Sequence, residues 1–167
     1  MSQDRIQFNE VGYRKLSNTQ LGLDDFNCSK SSFKDYLRVS ALNDQVEQIG
    51  QTWIFVYKEK IIGFVTIAMA HMKKDEHEEL QIDTFGNIPA LLIGHLATHK
   101  DHERQGVGRY MVSWVISKAV EFSESIGCRL VMLNPERDVI DFYRKQGFTY
   151  VPHEDEDYDS MFLDIKI

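Results

Sequence analysis

The segment His102-Glu103-Arg104-Gln105-Gly106-Val107-Gly108-Arg109 sits between a buried apolar run and a long amphipathic stretch. Glycines at such a place let the backbone turn tightly and aim N–H groups outward, and a following helix adds the positive end of its dipole. That turn can hold a phosphate or pyrophosphate, with Arg104 and Arg109 adding planar, charge-assisted donors. The plainer alternative is a tight strand-to-helix turn with no ligand. A dinucleotide fingerprint needs a third glycine, and Met111 stands beyond Tyr110 instead; a phosphate loop of the Gly-Lys-Ser/Thr kind is absent.

A second constellation is Asn134-Pro135-Glu136-Arg137-Asp138-Val139-Ile140-Asp141-Phe142-Tyr143-Arg144-Lys145-Gln146-Gly147-Phe148. Tyr143 carries a phenol that keeps its proton at pH 7; its plainer reading is a core aromatic beside Phe142. Glu78, Glu79 and Asp83 precede a predicted strand and are weak candidates for a general base, since a charge run is ordinarily a solvated loop. His95, His99 and His102 form His-x3-His-x2-His, but strand followed by turn does not bring them together, so no metal is expected. His95 is expected to face the substrate side or solvent.

These residues need elements to position them. Ile6–Val11 alternates weakly and predicts a first strand, and Phe33, Tyr36, Leu37 and Ala41 predict one helix over 32–48, with Ser32 and Asp35 as a capping-box-like start. The runs 53–57 and 61–67 predict a hairpin across Lys58-Glu59-Lys60, residues 73–86 a loop, and 90–98 a long strand entered through Pro89. Val107, Met111, Trp114, Val115, Lys118, Phe122 and Ile126 mark one face of a helix that Gly127 ends. A strand at 130–133, a short helix through Val139–Tyr143 closed by Gly147, and a strand at 161–167 complete a mixed α/β sandwich.

The 167 residues and 43% apolar content suit one domain with a real core. Of the net charge of −7, five negative charges fall within 151–167, around His153–Asp159. That segment reads as a solvated loop, or as a field that draws in a cationic amine. Acidity disfavours nonspecific contact with nucleic acid or anionic lipid, and no apolar run approaches a membrane span. Cys28 and Cys128 lack metal or disulfide spacing, so a reduced, cytoplasmic setting is the expectation.

Taken together, the two motifs resemble those of the GNAT superfamily of acetyl-CoA-dependent N-acetyltransferases, over residues 50–151. That family has a pyrophosphate loop Gln/Arg-x-x-Gly-x-Gly/Ala and a late helix that often reads Phe-Tyr-x-x-x-Gly-Phe. The resemblance implies a GNAT fold, with a central mixed sheet of six to seven strands flanked by helices, over 1–167. It implies acetyl-CoA as co-substrate, with backbone groups of Leu96, Ala97 and Thr98 on the pantetheine arm. Arg104, Gln105, Gly106, Val107, Gly108 and Arg109 would hold the pyrophosphate, and Asn134 and Phe142 the cofactor arm. Tyr143 would be the acid beside the sulfur. Glu103 departs from the pattern, standing where the family has Gln or Arg.

A narrower resemblance runs through Phe26-Asn27-Cys28-Ser29-Lys30, Phe33, Tyr36-Leu37, Thr52–Val56 and Pro89–Ala97. It is to the GNAT branch containing toxins of toxin-antitoxin pairs, which acetylate aminoacyl-tRNA and tend to be basic. This chain is acidic, so charge ranks a small-molecule or protein amine ahead of tRNA as acceptor. A non-catalytic acetyl-CoA-binding or interaction module is the alternative of another class. An exposed edge strand also allows a homodimer.

Overall fold

The computed structural model describes residues 4–76, 80, 82–84, 86–154 and 156–166. Seven strands form one sheet in the order β1-β2-β3-β4-β5-β7-β6, with helices making up the rest of a mixed α/β architecture. The chain divides into two compact units, one of residues up to 67 with 95–113, the other of 68–94 with 114 onward.

The first unit contains β1 (Gly12–Lys15), α1 (Ser31–Asp35), a π-turn (Tyr36–Ser40), α2 (Ala41–Val46) and β2 (Gln51–Tyr57). It also takes the first part of β3 (Lys60–Met72), the end of β4 (Ile88–Thr98) and the start of α3 (Val107–Ser125). Phe26, Leu37, Ala41, Ile54, Phe64 and Ala97 are core residues here, which places α1, α2 and one face of β2 to β4 on a common apolar cluster.

The predicted strand at 6–11 is not formed. Phe8–Glu10 is a 3-10 turn closed by the Val11 N–H on the Phe8 carbonyl at 3.2 Å, and pairing with β2 starts only at Gly12. The Phe8 ring stacks on Tyr110 at 5.1 Å, and this anchorage to a distant residue outweighs a weak local alternation. The predicted helix over 32–48 is present in outline, but it starts at Ser31 without a side-chain cap and is interrupted by the π-turn. The hairpin turn is a two-residue one, with Lys58 and Glu59 both in the left-handed region at φ +47° and +63°.

Gly63 on β3 faces a crowded spot. A Cβ there would lie 2.8 Å from Met111 Sδ and 3.0 Å from the Ala97 carbonyl oxygen. Met111 can swing aside but the β4 backbone cannot, so Gly63→Ala is expected to cost about 1–3 kcal/mol. A melting curve checks this, with Tm lowered by roughly 2–12 °C.

The second unit holds the remainder of β3, β4 and α3, followed by β5 (Leu130–Leu133), α4 (Ile140–Arg144), β6 (Thr149–Val151) and β7 (Ser160–Asp164). β4 and β5 are parallel, with Ala90 opposite Leu130, and α3 supplies the crossover such a pair requires. Gly127 at φ +83° ends α3 as its position predicts. Met72, Leu80, Ile88, Ala90, Leu130, Met132, Val151 and Phe162 form this unit's core cluster. Arg129 clamps Asp164 through both guanidinium nitrogens at 2.6 and 2.8 Å, joining the entrance of β5 to the end of β7. Among the described residues no helix is long and apolar enough to cross a membrane, and both cysteines are free thiols.

Candidate active site

In the first unit the end of β4 runs directly into the glycine-bearing turn. The His99 N–H donates to the Ile62 carbonyl at 2.8 Å and the Lys100 N–H to the Asn27 carbonyl at 2.9 Å, pinning the turn's entry. A 3-10 turn over Lys100–His102 follows, and then Arg104 and Gly106 both take positive φ, +61° and +89°. Glycine meets this demand freely, while at Arg104 the left-handed backbone is strained, as is common at ligand-binding turns. The Tyr110 N–H bonds the Gly106 carbonyl at 3.0 Å, so Gly106 opens α3.

Helix geometry leaves the N–H groups of Val107, Gly108 and Arg109 without partners inside α3. Val107 is buried and fixes the first turn; Arg104 and Arg109 are exposed beside it. Gln105 is half-buried and its amide donates to the Asp101 carbonyl at 3.3 Å. The turn therefore presents backbone donors, the positive end of a 19-residue helix and two guanidinium groups, which is the donor set a pyrophosphate requires.

Glu103, the departure from the family motif, accepts a hydrogen bond from Ser29 Oγ at 2.5 Å. The contact gives the carboxylate a structural use but leaves a negative charge beside the donors of this turn. Glu103→Gln keeps an acceptor for Ser29 and removes that charge. Acetyl-CoA affinity is expected to rise about 2–5-fold at low salt, the range of a surface charge effect of ~0.5–1 kcal/mol. Calorimetry at low and high ionic strength checks it, because the gain should shrink as salt screens the charge.

Along β4 the buried pattern breaks at Gly94, His95 and Leu96, which are exposed, half-buried and half-buried in turn; Ala97 is buried and Thr98 half-buried. His95 stacks face to face on Tyr36, ring centres 3.6 Å apart at 6°, and meets the edge of Phe33 at 4.8 Å. The Tyr36 hydroxyl donates to Asp44 Oδ2 at 3.0 Å. Burial lowers the His95 pKa, the Asp44 carboxylate opposes that shift and Lys30 reinforces it. His95 Nδ1 is sealed from solvent and has no hydrogen-bond partner among the described residues.

Of the three histidines, His99 and His102 lie edge to face with ring centres 5.7 Å apart, and His95 belongs to β4. His99 Nε2 lies 3.1 Å from the Asp25 carbonyl oxygen and its Nδ1 accepts the Asp101 N–H, so neither nitrogen is left for an ion.

In the second unit, Asn134 follows β5 and is exposed. A 3-10 turn, Arg137–Val139, leads into α4, which Gly147 at φ +95° ends. Tyr143 is 5% exposed, its ring edge-on to Phe142 at 4.9 Å and Phe148 at 5.4 Å. Burial pushes its phenol well above the ordinary tyrosine pKa, so the hydroxyl holds its proton throughout the neutral range. Phe142 is half-buried. Glu78 and Glu79 lie outside the described residues, and Asp83 is exposed.

The acidic segment is more than a solvated loop. Asp159 accepts from the Tyr150 hydroxyl at 2.5 Å and the His153 N–H at 3.2 Å, and His153 Nε2 meets Ser160 Oγ at 3.1 Å. The Tyr150 bond holds the Asp159 carboxyl below its ordinary pKa. Asp155 lies outside the described residues.

A family model of the acetyltransferase (GNAT) domain matches residues 48–150, more than half of the chain. The chain belongs to the GNAT acetyltransferase family. A GNAT acetyltransferase takes its acetyl group from acetyl-CoA, and the donor set at 104–109 fits that cofactor's pyrophosphate. A tRNA-acetylating toxin of Mycobacterium tuberculosis (strain ATCC 25618 / H37Rv) is 24% identical over 116 residues, 68% of this chain and 69% of the relative. The fold matches AtaT complexed with acetyl-methionyl-tRNAfMet at TM-score 0.82 and 17% identity, covering 92% of this chain and 94% of that one. It matches a tyrosine-to-phenylalanine variant of KacT at TM-score 0.84 and 16% identity, covering 93% and 95%. A tyrosine-to-phenylalanine variant of AtaT bound to the C-terminus of the antitoxin AtaR and acetyl-CoA matches at TM-score 0.78 and 17% identity, covering 93% of each.

Sequence reasoning placed the GNAT motifs but missed the packing of Phe33, Tyr36 and Asp44 around His95. The aromatic residues at 33 and 36 were visible as a helix face and as part of the narrower family pattern, with nothing in local spacing to join them to a residue on β4.

Proposed function

We propose that this GNAT acetyltransferase transfers the acetyl group of acetyl-CoA to the amino group of an aminoacyl-tRNA. What supports this acceptor over a small or protein amine is the relation to a tRNA-acetylating toxin over two thirds of both chains. The fold shared with AtaT in complex with acetyl-methionyl-tRNAfMet supports it independently. Net acidity weighs against it less than total charge suggests, because five of the seven net negative charges fall within 151–167. Arg137, Arg144 and Lys145 are exposed around α4, and Lys100, Arg104 and Arg109 around the glycine turn, as phosphate contacts require.

In this reading the turn from Arg104 to Arg109 holds the pyrophosphate, and the β4 backbone at Leu96, Ala97 and Thr98 and Asn134 and Phe142 hold the pantetheine arm. The amine attacks the thioester carbonyl, and a backbone N–H stabilises the developing oxyanion. Tyr143 then protonates the departing thiolate. The observation that carries the chemistry is the burial of Tyr143, which keeps an acid proton in place at neutral pH.

By the same reading the chain is a growth-arresting toxin with a protein antitoxin as its partner. The test is calorimetric titration with acetyl-CoA, followed on the same sample by thiol release with charged tRNA, polyamines, amino acids and peptides. Turnover with charged tRNA alone supports the proposal. Turnover with another amine class replaces the acceptor, and no binding at millimolar acetyl-CoA leaves an interaction module.

A further inference from the structure

We propose that Ser29 and Glu103 form a tether that holds the turn at 104–109 in its binding shape before acetyl-CoA arrives, so that Glu103 is a positioning residue acting through the protein. This rests on the reading of that turn as the pyrophosphate site, and it says what the departure from the family motif does there. Three observations carry it.

The first is place. Glu103 is extended, at φ −64° and ψ 151°, and directly precedes Arg104, whose φ of +61° is left-handed. A residue other than glycine keeps that conformation only where its surroundings enforce it. The local backbone does so weakly, since the Glu103 N–H reaches the Lys100 carbonyl at 3.5 Å, the outer limit of a hydrogen bond. The side chain makes the firmer link, to Ser29 Oγ at 2.5 Å across 74 positions of sequence.

The second is the rigidity of what Glu103 is tied to. Phe26 is buried, its ring edge-on to Phe64 at 5.5 Å and to His99 at 5.6 Å. The Arg38 guanidinium donates to the Leu23, Asp24 and Phe26 carbonyls at 3.1, 2.6 and 2.8 Å. The Asn27 carbonyl takes the Lys100 N–H, and the Asp25 carbonyl oxygen lies 3.1 Å from His99 Nε2. Segment 23–29 is thereby fixed to the core, to the helical segment and to the entry of the turn. Ser29 is presented from an ordered backbone, so the tether carries little ordering cost of its own.

The third is chemistry. A carboxylate accepts hydrogen bonds and donates none, so Glu103 has nothing to offer a phosphate oxygen where a Gln or Arg would. Toward a hydroxyl it is a strong partner, because an O–H···O⁻ bond is shorter and roughly twice as strong as a neutral one. The residue type at 103 suits Ser29 and not the cofactor.

The test titrates the full chain with acetyl-CoA at high ionic strength, where the Glu103 charge is screened and the tether alone is read. Ser29→Ala, Glu103→Ala and the double variant should each raise Kd by about 2–10-fold, the scale of one net hydrogen bond. The three factors should be equal, because a tether already broken cannot be broken again. Glu103→Gln still accepts from Ser29 and should stay within about twofold of wild type. Hydrogen exchange supplies a readout that a general packing role would not produce. Without acetyl-CoA the amides of 104–109 should exchange faster in Ser29→Ala than in wild type, with the rest of the chain unchanged, and saturating acetyl-CoA should close the difference.

A wild-type Kd in Ser29→Ala, or wild-type exchange at 104–109, overturns the inference and leaves the acetyl-transfer reading intact. Losses that add in the double variant, or a Glu103→Gln as weak as Glu103→Ala, overturn it in the same way. Faster exchange spread through the chain together with a lowered Tm makes the pair a general packing contact and also overturns it. A wild-type chain that binds no acetyl-CoA sinks both.

Discussion

Gly108→Arg is expected to abolish acetyl-CoA binding while leaving the protein folded. Gly108 is the second residue of α3, half-buried, two residues beyond Gly106 at φ +89°. A long side chain there occupies the space in which phosphate oxygens would approach the N–H groups of Val107, Gly108 and Arg109. Hydrogen bonds to a charged group contribute about 1.5–3 kcal/mol each, so losing two raises Kd by ~10²-fold or more. The new positive charge does not rescue binding, because the loss is one of access to the backbone. Calorimetry reads the result directly, and an unchanged Kd would remove this turn from the cofactor site. Circular dichroism on the same sample shows whether the fold survived.

Tyr143→Phe is expected to separate turnover from binding. The substitution keeps the ring in its contacts with Phe142 and Phe148 and deletes only the hydroxyl. A general acid contributes roughly 10²–10⁴-fold, so kcat should fall by that order while the acetyl-CoA Kd changes by less than about twofold. Because burial raises this phenol's pKa above the ordinary value near 10, Tyr143 contributes no alkaline limb below about pH 10. A variant as active as wild type would mean that water or another group protonates the thiolate.

Sequence legibility followed how local each signal was. Helix α3 and strand β5 were readable because their apolar period repeats within the element and a glycine at positive φ marks the end of α3. The turn at 104–109 and the Phe-Tyr-x-x-x-Gly-Phe helix were readable because each needs particular residue types at fixed spacing. The first strand was misplaced because Phe8 is anchored by Tyr110, about a hundred residues away, and no alternation rule can register that. Strand β6 was not separated out because three residues of mixed burial, Thr149–Val151, carry too short a pattern. The surroundings of His95 were hidden for the same physical reason as the Phe8 anchor. Tertiary contact between Tyr36 and β4 makes that site, and single-element periodicity carries no trace of it.

Charge shows the opposite weakness. Net charge was legible at once, yet a total says nothing of place. The negative excess belongs largely to one short segment, where Asp159 already serves Tyr150 and His153.

The most direct test of the central claim is transfer of radiolabelled acetyl from acetyl-CoA to charged tRNA, with nuclease digestion to locate the label. The account predicts acetylated aminoacyl-adenosine from charged tRNA, no label on uncharged tRNA, and loss of the signal in Gly108→Arg and Tyr143→Phe. Label appearing instead on polyamines, free amino acids or peptides, with charged tRNA left unmodified, would contradict it.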